Sequence, residues 1–98
     1  MSMLIKHNIG VLSRSGKTEY PGTFVAVKVD DEVHIGVSCC RTDLGDVYTK
    51  TKGVEEAHKR ATHKEGIGGF NVYHEELEEF TNRAIRYFSD VPFERVFW

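Results

Sequence analysis

At 98 residues, 40% apolar and 29% charged, the chain is sized for a single domain with one two-layer core, and it has no low-complexity tract or internal repeat. A formal charge of −2 excludes the global basic field that draws nucleic acid nonspecifically. MSMLIKHNIG has neither the apolar core nor the cleavage site of a signal peptide, no stretch reaches membrane-span length, and the two cysteines, Cys39 and Cys40, are adjacent. Adjacent cysteines are poor disulfide partners, so the expectation is a soluble protein of a reducing, intracellular compartment.

Ile5, His7, Ile9 and Val11 alternate with Lys6, Asn8, Gly10 and Leu12, a period of two that predicts a strand. GVLSRSGKT, residues 10–18, then ends like a phosphate-binding loop. Five residues, Val11 to Ser15, separate Gly10 from the Gly16-Lys17 pair, one more than that motif allows. Glu19-Tyr20-Pro21-Gly22 follows, which is turn chemistry where the motif needs the start of a helix. The segment reads as a polar loop between antiparallel strands.

FVAVKV, residues 24–29, alternates again with Val25, Val27 and Val29 on one face. VHIGVSCC, residues 33–40, returns with Val33, Ile35, Val37 and Cys39 on one face, and Asp30-Asp31-Glu32 between them reads as the turn of a β-hairpin. After the polar RTDLGDVYTKTKG, Val54, Ala57 and Ala61 recur at helical spacing. Thr49 or Thr51 can cap that helix, and Gly66 can end it in the left-handed conformation. GIGGFNVY reads as a flexible connection. A second helix carries Leu77, Phe80, Ala84, Tyr87 and Phe88 on one stripe, with Glu75 and Glu76 in its first turn and Arg83 and Arg86 toward its end, as the macrodipole favours. Asp90-Val91-Pro92 stops it. The tail FERVFW alternates and predicts either a short strand or a return onto the core.

Catalytic and metal chemistry find no complete motif. His34, Cys39, Cys40, His58, His63 and His74 include no close C-x-x-C pair. His34 and Cys40 are about 20 Å apart at the strand rise, and His58 and His63 fall about 140° apart on a helix. Cys39 faces the expected core and Cys40 points away toward Arg41. His63-x-Glu65 lacks the P-C-x-x-C of the deaminases. EELEE reads as a solvated acidic face, and GIGGF lacks the strand and third glycine of a dinucleotide site.

Charge is unevenly spread. Residues 41–64 carry Arg41, Lys50, Lys52, Lys59, Arg60 and Lys64 against Asp43, Asp46, Glu55 and Glu56, and residues 65–98 carry seven acids against Arg83, Arg86 and Arg95. YTKTKGVEEAHKRATHK follows a hairpin with a lysine-rich helix start, and in that order it resembles a double-stranded RNA-binding domain. The resemblance implies phosphate contacts from Lys50, Lys52 and the helix N-terminus. No helix precedes the strands, and Glu55-Glu56 would sit beside the phosphates.

CRTDLGDVYTKTKGVEEAHKRA, residues 40–61, and RAIRYF, residues 83–88, resemble a pattern in small tailed-bacteriophage accessory proteins, in which a hairpin ends near a Cys and is followed by Asp-x-Phe/Tyr, lysines, Gly and Ala…Arg-Ala. Tyr48 stands at the aromatic position, and Thr51 separates Lys50 from Lys52. The resemblance implies a protein made in the host cytoplasm that binds host or defence machinery.

The reading is one α+β domain, residues 1–98: a three-stranded antiparallel sheet with two helices on one face, and the tail as a candidate fourth strand. The expected function is a non-enzymatic interaction protein that binds and modulates or inhibits a host or anti-phage defence protein. The alternatives are a nucleic-acid-binding module using the basic segment and an oligomeric nucleotide-sequestering protein. Candidate binding residues are Arg41, Tyr48, Lys50, Lys52, Lys59, Arg60 and Lys64. No catalytic residue, metal, cofactor or membrane is expected.

Overall fold

The computed structural model describes residues 2–98. The chain runs β1 (Met3–Leu12), β2 (Glu19–Val29), β3 (Glu32–Cys39), α1 (Lys50–Thr62), β4 (Asn71–Val72), α2 (His74–Tyr87) and β5 (Val96–Phe97), with short 3-10 turns at Thr42–Leu44 and Phe93–Arg95. The expected meander, β1 to β3, forms the centre of a five-stranded sheet ordered β4-β1-β2-β3-β5. All pairings are antiparallel except β3 with β5. The polar loop does join two antiparallel strands. The hairpin turn is shorter than expected, because Glu32 already pairs with Val29 and only Asp30 and Asp31 bridge the strands, Asp30 at φ 57°.

The helices do not share a face. Phe24, Ala26, Val33, Ile35 and Val37 pack with Leu77, Phe80 and Ala84 of α2 and with Phe88 at its C-cap. The alternate residues Val25 and Val27 pack with Ala57 and Ala61 of α1, flanked by Met3, Ile5, Val29 and Val54. Successive side chains on a strand point to opposite sides, so these are two cores on the two faces of one sheet. The physical reason lies in β2, whose FVAV run is apolar on both sides and cannot leave either face in water.

β1 changes sides along its length. Its register against β2 slips between Lys6 and Ile9, and Asn8 there adopts φ 56°, a left-handed conformation asparagine tolerates. Ile5 therefore joins the α1 core, while Ile9 and Val11 join the α2 core. A continuous period of two would have kept all three together.

Thr49 caps α1, its hydroxyl accepting the Lys52 amide at 3.3 Å. The helix ends one turn before Gly66. Lys64 takes the left-handed position at φ 59°, with the Lys64 amide donating to the Ala61 carbonyl at 3.0 Å and the Glu65 amide to the Arg60 carbonyl at 2.9 Å. That bond pair is a Schellman end, and a lysine occupies the site usually given to glycine. In α2 the expected stripe is buried except for Tyr87, and Phe80 stacks on Phe24 with centroids 5.1 Å apart. Thr81 fills a buried position by donating its hydroxyl to the Leu77 carbonyl at 2.7 Å.

Two further strands extend the sheet at its two edges. Within the connection expected to be flexible, Val72 pairs with Val11. The tail does form a strand, with Val96 opposite Val33. Val96 is the residue it buries. Phe93, Phe97 and Trp98 remain 67%, 40% and 55% exposed.

Candidate functional site

Between β3 and α1 the chain crosses an irregular loop that is held at both ends. At its start the Arg41 guanidinium donates to both carboxylate oxygens of Asp43, at 3.0 and 2.8 Å, and lies 5.0 Å over the Tyr20 ring. The Tyr20 hydroxyl donates to the same carboxylate at 3.2 Å. These bonds favour the ionised acid, so Asp43 is held below the usual aspartate range and Arg41 is raised. At the loop's end the Tyr48 hydroxyl accepts the Asn8 amide at 3.3 Å and lies 3.3 Å from the Thr23 hydroxyl. Between these anchors a 3-10 turn and Gly45 at φ 88° swing the chain outward, leaving Leu44 71% and Val47 78% exposed.

Behind the loop lies a cavity of about 200 Å³ between the end of β3 and one flank of α1. Ser38, Cys40, Val47, Tyr48, Lys52 and Arg60 are among its lining residues. Gly53 brings the helix close enough to form it: a Cβ there would lie 2.5 Å from the Thr23 hydroxyl oxygen. Arg60 is fixed in place, donating to the Val37 carbonyl at 2.8 Å, lying 4.7 Å over the Phe70 ring and approaching Glu56 at 3.9 Å. Cys39 also borders the cavity. Burial pushes its thiol up despite the nearby Arg41.

The seven sequence-predicted binding residues do not form one patch. Tyr48, Lys52 and Arg60 meet at the cavity. Arg41 lies on a neighbouring groove, bound to Asp43. Lys64 points to the hairpin, 3.6 Å from Asp30 and 3.5 Å from Glu32. Lys50 and Lys59 are exposed on α1 outside the cavity lining. The sequence reading missed Leu44, Val47 and Ser38. Its one signal for the first two was a pair of apolar residues inside an otherwise polar DLGDV.

Among the described residues, no three His, Cys, Asp or Glu side chains gather as a metal site, and no helix is long and apolar enough to cross a membrane. Comparison with protein-family models, curated proteins and solved structures finds no match to this chain. What stands is a small α+β fold with a pinned loop over a cavity.

Proposed function

We propose that this chain is a small, non-enzymatic interaction protein of the tailed-phage accessory kind. It binds a host or anti-phage defence protein in the host cytoplasm and modulates or inhibits it. The observation that carries this reading is the 41–49 loop, where Leu44 and Val47 stand 71% and 78% exposed between two hydrogen-bonded anchors. Apolar side chains held out on an ordered loop can be buried by a partner at little ordering cost, which is how rigid paratope-like surfaces gain affinity.

Two alternatives draw less support. A phosphate backbone needs its cations on one surface, and Lys64, Arg60 and Arg41 are each drawn to different internal acceptors. A nucleotide needs a pocket of roughly 300 Å³ or more; the cavity behind the loop is about 200 Å³, and in the larger neighbouring groove of about 490 Å³ Arg41 is already paired with Asp43.

The test is capture by the tagged protein from host lysate, with the eluate analysed for protein, nucleic acid and nucleotide. One protein recovered at a fixed ratio, and inhibited in proportion to the amount added, supports the reading. Recovery of nucleic acid or nucleotide alone, or full inhibition at a small fraction of the target concentration, sinks it.

A further inference from the structure

We infer that the outer edge of β1, over residues 3–7, pairs antiparallel with the same edge of a second copy of this chain, joining the two sheets across a two-fold axis. The inference goes beyond the loop reading above and uses neither Leu44 nor Val47.

The two edges of the sheet are finished differently. On the β3 side, β5 pairs with Val33 and His34, and the Arg60 guanidinium fills the Val37 carbonyl at 2.8 Å. On the β1 side, β4 pairs with Val11 and Leu12, and the Glu76 carboxylate accepts the Gly10 amide at 3.3 Å. The Tyr48 hydroxyl accepts the Asn8 amide. Residues 3–7 are left. Met3 to Lys6 pair with β2 on their inner side, and His7 begins the register slip. Among the described residues, no strand or side chain hydrogen-bonds the outer side of this stretch. Alternate residues of an antiparallel strand direct N–H and C=O away from their partner, so an open ladder faces outward here. Such a ladder is a template for another strand.

The side chains on this edge decide its occupant. Met3 and Ile5 flank the α1 core and Leu4 packs against the α2 core, and all three are only half-buried. Beside them Tyr87, which the α2 stripe leaves outside the core, is 45% exposed and shares a groove with Ser2. A two-fold axis normal to the sheet keeps each face on its own side, so only residues sharing a face lie opposite one another. Centred on Ile5, that axis sets Ile5 against Ile5, Leu4 against Lys6 and Met3 against His7. This register uses the whole open stretch and opposes no like charges. Centring on Lys6 opposes two ammonium groups, and centring on Leu4 pairs fewer residues of β1. The edge is therefore self-complementary, as an isologous interface requires. The left-handed Asn8 ends the pairing by bending the strand. A pairing this short falls below the standard interface size, so the dimer forms reversibly at micromolar concentration.

The test combines analytical ultracentrifugation of the intact chain, hydrogen exchange and cysteine cross-linking. The expected result is a monomer–dimer equilibrium within roughly 1–500 μM. Alternate amides of residues 3–7 should exchange about tenfold or more slowly in the dimer than in the monomer. With Cys39 and Cys40 replaced by alanine, Ile5→Cys should cross-link under oxidised glutathione about tenfold faster than Leu4→Cys or Lys6→Cys. Those two positions lie diagonal to their own copies at about 7–8 Å, beyond the usual disulfide range. The exchange measurement uses the unaltered chain, so it stands whether or not a variant folds. A monomer throughout, a dimer whose β1 edge stays unprotected, or fastest cross-linking at Leu4→Cys or Lys6→Cys overturns the inference. Protection of residues 3–7 that appears only on adding a different protein also overturns it, in favour of a partner's strand at that edge.

Discussion

Gly36 and Ala57 meet backbone to backbone. A Cβ on Gly36 would overlap the Ala57 carbonyl oxygen and lie 2.6 Å from the Ala61 nitrogen. α1 has a thin apolar face, and it is stable against the sheet because β3 offers it only glycine and small or polar side chains at Gly36 and Ser38. Gly36→Ala should destabilise the fold by about 1–3 kcal/mol, the range for forcing a methyl into a packed site. Gly69→Ala, with nothing within 4 Å of its added methyl, is the control. Urea unfolding of the two variants checks this, and equal midpoints would contradict the close approach.

Arg60 is expected to act on stability through the edge of β3. Its guanidinium occupies the Val37 carbonyl and covers the Phe70 ring. Arg60→Ala should cost about 1–3 kcal/mol, combining a charged hydrogen bond with a cation–π contact. Lys59→Ala, on the exposed neighbour, should stay within about 0.5 kcal/mol. Thermal melts of the pair separate the two roles, and an Arg60→Ala melt matching wild type would return Arg60 to the list of free surface cations.

The loop should loosen in acid. Asp43 is held below the usual aspartate range chiefly by its hydrogen bonds to Arg41, so its contribution is present in full above the unfolded-state value and is lost as pH falls through the lower folded one. Hydrogen exchange at Leu44, whose amide donates to the Arg41 carbonyl at 2.9 Å, should therefore rise below the usual aspartate range beyond the intrinsic trend. Asp43→Asn should show the loose loop already at neutral pH. Unchanged protection across that window would mean the ion pair does not order the loop.

How much of this was legible depended on whether the signal was local. The α2 stripe from Leu77 to Phe88 could be read directly, because one periodic face meets one core. The α1 stripe could also be read, but not its side of the sheet. By period alone FVAV reads as alternation on one face, although its four consecutive apolar residues imply burial on both. The switch in β1 depends on the left-handed Asn8, which no hydrophobic pattern encodes. β4, a two-residue pairing, is below the length any periodicity can mark. At the site, Lys52 and Tyr48 were found through their position beside the helix start. Lys64 was misjudged because its acceptors Asp30 and Glu32 are distant in sequence and are brought near only by the hairpin.

The tail separates size from burial. Val96 is 7% exposed and packs within the α2 core, whereas Phe93 is 67% exposed. Val96→Ala should cost about 1.5–2.5 kcal/mol from two lost methyl equivalents and the space they leave. Phe93→Ala should stay within about 0.5 kcal/mol. Chemical denaturation of both variants decides it, and the reverse order would mean that Phe93 is covered in solution.

The central claim is that the pinned loop engages a protein partner through Leu44 and Val47. Its most direct test is the affinity of the double variant Leu44→Asp, Val47→Asp for the protein captured by wild type, with melting temperature measured alongside. The account predicts an unchanged melting temperature, since both side chains are exposed, and a binding loss of at least about 2 kcal/mol, the scale of an interface hot spot. Wild-type affinity in a folded double variant would contradict it.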